Sequence, residues 1–263
     1  MAEGIIKDVK LVLDGRDLSG RMNQFNINYS ADMLDRTVFG SSFKKRKAGL
    51  KTVEISGAAF FDSVANASGG GNDPVIFPKV GAGGSTSIVT VCPSGFAVKG
   101  YETYFSKGVI SQYSPAGQIG ELLGLNIVIG GDGELIRGKV MESATNLSTG
   151  NIGNINLFSE RLKKSQKIYG AIHVFKVSTG RTYNLDAVRC ATTNFDSPTS
   201  APPAKTTQFT ITISTADMGK AKWGSTKISS SSTGYSYRFQ AKNVGSTVTP
   251  ISGSYFLATL GHK

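Results

Sequence analysis

Histidine, cysteine and tryptophan are scarce in this chain: its 263 residues include two His, two Cys and one Trp. So few imidazoles and thiols leave little material for metal sites or nucleophilic catalysis. Cys92 and Cys190 lie far apart in sequence with no Cys-x-x-Cys partner, so each is expected to be a small buried hydrophobe. Charged residues make up 18%, below the roughly 25% of an ordinary soluble domain. Acidic groups are the shorter supply, 18 against 29 basic, for a net charge of +11. Long apolar runs are missing as well. Charges interrupt every apolar stretch of the opening MAEGIIKDVKLVLDG, and no segment approaches the roughly 18 apolar residues of a membrane span. A soluble chain made in a reducing compartment is expected. No Gly-x-Ser-x-Gly elbow, His-Glu-x-x-His pair or Walker loop occurs, and an enzyme is the least expected class.

What the chain has is glycine, 32 residues, and enough hydrophobic residues, 39%, to build a core. Its apolar periodicity is two. Val9, Leu11 and Leu13 alternate with Asp8, Lys10 and Val12, and Phe25, Ile27 and Tyr29 alternate with Asn26, Asn28 and Ser30. Val53 and Ile55 continue the pattern, as do Leu123, Leu125, Ile127 and Ile129, then Phe209, Ile211 and Ile213, and finally Tyr235, Tyr237 and Phe239. The window Leu122 to Gly131 reads as one buried strand. Strands separated by Gly, Ser, Asn and Pro clusters predict a mainly β protein. Helices are expected at two places only, Asp73 to Val80, with Pro74 in its first turn, and Asn154 to Lys164.

MESATNLSTGNIGNIN, Met141 to Asn156, has linker composition and suggests domains at 1–145 and 146–263. Residues 1–142 hold 15 basic and 14 acidic groups, whereas residues 143–263 hold 14 and 4. The excess positive charge therefore belongs to the second part. Its basic residues are spread out among Ser and Thr, unlike the clustered patch of a nucleic-acid binder.

Isolated motifs read plainly. GGDGE, Gly130 to Glu134, lacks the acidic spacing of a Ca²⁺ loop and is expected to be a hairpin turn. His173, in AIHVFKV, is expected to be a satisfied sheet residue, and His262 to have no scaffold around it. Trp223 is expected to anchor a core or its rim. Asp35 to Leu50 reads as a polar loop of 16 residues between two strands, a length that usually serves a function. Its KKRK run, Lys44 to Lys47, has only Phe39 and Phe43 nearby, a weak pattern for stacking single-stranded nucleic acid.

Four features occur in order. A strand with an Asp-Gly turn (LVLDGRDLSG) precedes an alternating strand (NQFNINYSA). Asp35-x-Thr37-x-x-Gly40 leads through a basic loop to Gly49-Leu50-Lys51 and a strand ending in Phe60-Phe61-Asp62. SIVTVCPSG and YFSKGVISQYSPAGQIGELLGLNIVIGGDGELIRGKV follow. This order resembles the major tail protein (tail tube protein) of long, non-contractile-tailed bacteriophages over residues 5–142. The KKRK run is more basic than that pattern. The later segments KSQKIYGAIHVFKV, DAVRCATT, TTQFTITIS and SGSYFLATLG resemble, more loosely, the β-sandwich domains appended to such proteins.

The resemblance implies a tail-tube β-barrel or sandwich domain with a short helix, followed by a C-terminal β-sandwich of jelly-roll or Ig-like type on the outer surface. It implies stacked, hexameric rings forming a DNA conduit, no cofactor and no bound metal. The implied partners are further copies of the chain and the tape-measure, tail-terminator and tail-tip or baseplate proteins, with DNA passing through unbound. The implied location is the virion tail, after assembly in the host cytoplasm. Asp35, Thr37, Phe39, Phe43, Lys44, Lys45, Arg46, Lys47 and Leu50 would form the loop that contacts a neighbouring subunit or ring. The alternative is a surface-adhesion module, with the basic residues 146–263 making weak contact with bacterial envelope glycans.

Overall fold

The computed structural model describes residues 9–64, 71–82, 86–95, 100–142, 151–152, 166–177, 182–190, 205–228, 236–243 and 255–263. The described residues are mainly β, 66% strand and 8% helical, and among them the strands close no barrel. The expected helix at Asn154 to Lys164 lies outside the described residues. So does most of the expected linker, but Met141 is not part of one: it is fully buried in a strand.

Contacts divide the chain into two discontinuous units, one of Met1–Ser19, Ile88–Phe105 and Ile136–Lys263, the other of Gly20–Ser87 and Ser106–Leu135. This division does not follow the expected boundary at 145/146. The physical reason is strand pairing. A strand before the linker, β8 (Ile136–Glu142), lies beside the last strand of the chain, β15 (Tyr255–His262), with Thr259 opposite Val140. Backbone pairing of this kind ignores sequence distance.

The first unit holds a long sheet built on β1 (Lys10–Leu13), β2 (Arg16–Asp17), β5 (Ser87–Cys92), the start of β6 (Glu102–Ala116), β8, β15, β10 (Lys167–Lys176) and β13 (Lys220–Lys227). A second, four-stranded sheet orders β12 (Lys205–Ser214), β11 (Thr182–Cys190), β14 (Ser236–Asn243) and β9 (Asn151–Ile152). Alternation places Ile168, Ile172 and Val174 of β10 with Phe256, Ala258 and Leu260 of β15, against Tyr183, Leu185, Ile211, Ile213, Tyr237 and Phe239 of the second sheet. These inner faces make a β-sandwich. The opposite face of β10 and β15 is buried too, with Tyr169 and Ala171 against Phe105 and Ile136, and Leu257 against Val12 and Cys92.

Burial on both faces explains β1. Alternation sets Val12 with Asp8 and Lys10, opposite Leu11 and Leu13, yet Leu11, Val12 and Leu13 are all buried. Cys92 is buried as expected, and burial pushes its thiol up to about 11; the side chain of Cys190 lies outside the described residues. Trp223 anchors the rim, with its ring 5.6 Å from Phe105 and 5.8 Å from Tyr169. His173 is fully buried and satisfied: its Nδ1 accepts the Gly15 N–H at 3.1 Å, and its Nε2 lies 2.7 Å from the Thr90 hydroxyl. Gly15 (φ 76) and Asp14 (φ 45) form the tight turn between β1 and β2 that aims this N–H, the geometry an Asp-Gly pair favours. His262, expected to lack a scaffold, is held in β15 opposite Ile168 and Arg137.

The second unit is a sheet in the order β3 (Met22–Asp35), β4 (Arg46–Phe60), β7 (Gly124–Gly131) and the remainder of β6. The buried face carries Val53, Ile55, Ile110, Leu125, Ile127 and Ile129. It is flanked by the expected helix, observed as α1 (Asn72–Ile76) followed by a 3-10 turn at Phe77–Lys79, with Pro74 in the first turn. The Asn72 side chain fixes the helix start by donating to the Phe60 carbonyl and accepting the Asp62 N–H. Leu122 and Leu123 precede β7 and are exposed, so the expected strand begins later, at Gly124. Gly130 to Glu134 is not a hairpin turn. The strands around it, β7 and β8, each run antiparallel to β6 and not to one another.

Candidate assembly surface

The long expected loop, Asp35 to Leu50, is strand at both its ends and shorter than expected. Pairing of β3 with β4 continues through Leu34↔Lys47 to Asp35↔Arg46, leaving residues 36–45 as the connection. Asp35 ends β3, Arg46, Lys47 and Leu50 lie in β4, and Thr37, Phe39, Phe43, Lys44 and Lys45 lie in the loop. Strand pairing needs only backbone groups, so a segment exposed on both faces forms a ribbon without showing alternation.

The ribbon is an arm. The β4–β7 ladder starts at Glu54↔Gly130, so residues 46–53 of β4 pair with β3 alone among the described strands. Beyond Val53 nearly every residue of both strands is exposed. At about 3.3 Å per residue, the free part reaches roughly 20 Å before the loop begins.

The Asp-x-Thr motif closes the neck of that loop. The Asp35 carboxylate accepts the Thr37 N–H at 2.8 Å and the Thr37 hydroxyl at 2.5 Å, while Thr37 Oγ1 accepts the Lys45 N–H at 3.1 Å. A backbone bond from Arg36 N–H to the Lys45 carbonyl, 2.9 Å, completes the closure. The Thr37 hydroxyl and N–H hold the Asp35 carboxyl below its usual range. Asp35 and Thr37 are therefore structural, and they present what lies beyond them. Phe39 is 108% exposed and Phe43 83%, beside the exposed Lys44, Lys45, Arg46 and Lys47. Gly40 (φ 87) makes the bend between the two aromatics.

Met33, Leu34 and Val38 are also exposed on this arm, and sequence reading missed them because a stripe exposed on both sides carries no period. Lys51 Nζ sits 6.0 Å from the Tyr29 ring centroid at the arm's base. Exposed apolar residues recur at the opposite end of β4, where Phe60 stands beside the 117–123 connection carrying Ile119, Leu122 and Leu123. The Phe61 N–H donates to the Leu123 carbonyl at 2.8 Å, fixing that juxtaposition.

The outer face of the sheet is polar and almost uncharged. Register places Gln24, Ala58, Asn126 and Ser114 in one row, Asn26, Ser56, Val128 and Gln112 in the next, and Asn28, Glu54, Gly130 and Val109 in a third. Glu54 is the one charge in these rows. Among the described residues no three His, Cys, Asp or Glu side chains are grouped to hold a metal ion. Half-buried polar groups serve the fold: the Tyr113 hydroxyl donates to Asp73, and burial together with that bond raises the phenol to about 12.

No known family pattern and no curated protein matches the chain. Among solved structures, it is similar to a chain of the virion of a native gene transfer agent particle, at 18% identity over 51% of this chain and 97% of that one, TM-score 0.39. It is also similar to the SPP1 Dit protein, described as a hub of the adsorption apparatus in phages infecting Gram-positive hosts, at 9% identity over 98% and 100%, TM-score 0.37. A chain of the phage p2 baseplate in its activated conformation gives 9% identity over 96% and 98%, TM-score 0.36. Likenesses of this size carry no functional argument.

Proposed function

We propose that the chain is a structural virion protein of a phage tail, the major tail protein that self-assembles into stacked hexameric rings and forms the tube through which DNA reaches the host. One observation carries the reading. The β3–β4 arm exposes apolar side chains on a two-stranded ribbon, which is marginal alone and acquires a partner when subunits stack. The β3 edge supports it: fourteen residues, MNQFNINYSADMLD, contain no Lys, Arg or Pro to discourage edge pairing.

The polar outer face suits a conduit. Each basic residue on such a wall would add phosphate affinity through counterion release and slow a passing duplex; the three rows above have none. In this reading the role is structural and requires no cofactor or catalytic step. Assembly takes place in the host cytoplasm, and the partners are other copies and the tape-measure, terminator and tip proteins.

Electron microscopy of the purified protein tests the proposal. Rings or hollow tubes are expected. A dispersed monomer at high concentration overturns it, and a monomer that binds envelope glycans would favour the adhesion reading instead.

A further inference from the structure

We infer that the tip of the arm docks on the far end of the same sheet in a second copy of the chain, against the 117–123 connection and Phe60. This rests on the assembly reading and names the contact that would carry it. Three observations point there.

The first is apolar matching. Phe39 and Phe43 protrude from the arm, and Ile119, 107% exposed, and Leu122, 76% exposed, protrude from the opposite end. Contiguous exposed apolar groups of this kind mark contact surfaces.

The second is separation. The two patches lie at opposite ends of β4, whose fifteen residues span roughly 45 Å at strand rise. The arm is paired along β4 and points away from that end, so it cannot fold back onto it. A contact between unlike ends is heterologous, so it does not use itself up in one pair of subunits. It propagates through many copies and does not stop at a closed dimer; along the direction of the strands the result is a stack.

The third is charge. Residues 30–52 carry six basic groups (Arg36, Lys44, Lys45, Arg46, Lys47 and Lys51) against Asp32 and Asp35. The rest of the second unit has the reverse balance, three basic groups and six acidic ones. Glu121 sits within the 117–123 connection itself. A basic arm and an acidic body attract between copies, and two arms repel.

Cysteine pairing tests the contact. Phe43→Cys and Ile119→Cys are made singly and together in a Cys190→Ser background, where the remaining Cys92 is buried. Mild oxidation of the double variant should give a ladder of covalent oligomers, and mixing the two single variants should give a cross-linked heterodimer. Each single variant alone should give at least tenfold less. Glu121→Lys should reduce the ladder severalfold, as should raised salt.

Both cysteines replace exposed side chains, so unchanged thermal unfolding should accompany every variant. Assembly seen by sedimentation without a Phe43→Cys to Ile119→Cys cross-link overturns this contact and leaves the assembly reading standing. Preferential cross-linking within a single variant also overturns it, because it means that like ends meet. Absence of sedimenting species in the parent at any concentration overturns both.

Discussion

Replacing Phe39 and Phe43 together by Ser separates folding from assembly. In the free subunit both rings are exposed, Phe39 at 108% and Phe43 at 83%, and the loop neck is held by Asp35, Thr37 and backbone bonds that neither ring touches. Exposed substitutions of this kind change stability by about 0.5 kcal/mol or less. In the assembly each ring leaves water, an effect of about 1.5–3 kcal/mol per side chain. The pair therefore contributes roughly 3–6 kcal/mol per contact, and at about 1.4 kcal/mol per decade the double variant should raise the concentration needed for assembly 10²- to 10⁴-fold. Sedimentation across a concentration series reads that threshold, and guanidinium unfolding reads the subunit. A threshold shifted less than threefold, with unfolding unchanged, would refute the idea that these rings are assembly contacts. A subunit weakened by more than about 1 kcal/mol would show instead that they pack within the chain.

Three further outcomes follow from the first unit. His173→Leu removes the partners of the Gly15 N–H and the Thr90 hydroxyl; at about 1–3 kcal/mol per orphaned buried group, the denaturant midpoint should fall by the equivalent of roughly 2–6 kcal/mol. Gly224→Ala places a Cβ 2.5 Å from the Phe209 ring, an overpacking expected to lower stability by about 1–3 kcal/mol, whereas Ser225→Ala on the exposed side of β13 should do nothing measurable. Burial raises the Asp217 carboxyl, but the Lys222 ammonium at 2.9 Å and the Ser214 N–H and hydroxyl outweigh it and leave it lowered. A carboxyl lowered on folding stabilises fully above about pH 4 and loses that contribution as pH falls through its folded value. Asp217→Asn should accordingly flatten the acid limb of a stability–pH curve, by about 1 kcal/mol or less since Lys222 is partly exposed.

Alternation located the strands that have one wet face. Val53 and Ile55, Leu125 to Ile129, and Ile211 and Ile213 all turn inward as their spacing indicates. It misjudged Val12, because a strand buried on both faces is a plain apolar run, and it missed the arm, because a ribbon exposed on both faces can be polar or apolar anywhere. Composition at the linker suggested a boundary the contacts do not follow, since β8 and β15 pair through backbone groups common to every sequence. Asp35-x-Thr37 was legible as a pattern, but its work as the clasp of the loop neck needed the register that brings Lys45 opposite. Phe39, Phe43 and the basic run were legible as candidates. Ile119 and Leu122 were not, because an exposed Leu beside a true strand extends the apparent strand.

Charge shows how far a sum along the chain can mislead. Residues 1–142 are nearly neutral, 15 basic and 14 acidic groups, and neutrality suggests a surface indifferent to electrostatics. The second contact unit is equally balanced, nine against eight, yet six of its nine basic groups lie in residues 30–52 and six of its eight acidic groups lie elsewhere. Two such bodies attract when the arm of one meets the body of the other and repel when arms meet. Because the unit is near zero net charge, that arrangement selects orientation without adding much to the repulsion that the chain's +11 sets up between subunits. The same polarity keeps basic residues on the arm and off the three polar rows of the sheet, where they would hold a phosphate backbone. Moving one Lys from the arm to Asn126 would leave the unit's net charge unchanged while weakening the contact between copies and giving that face a hold on nucleic acid.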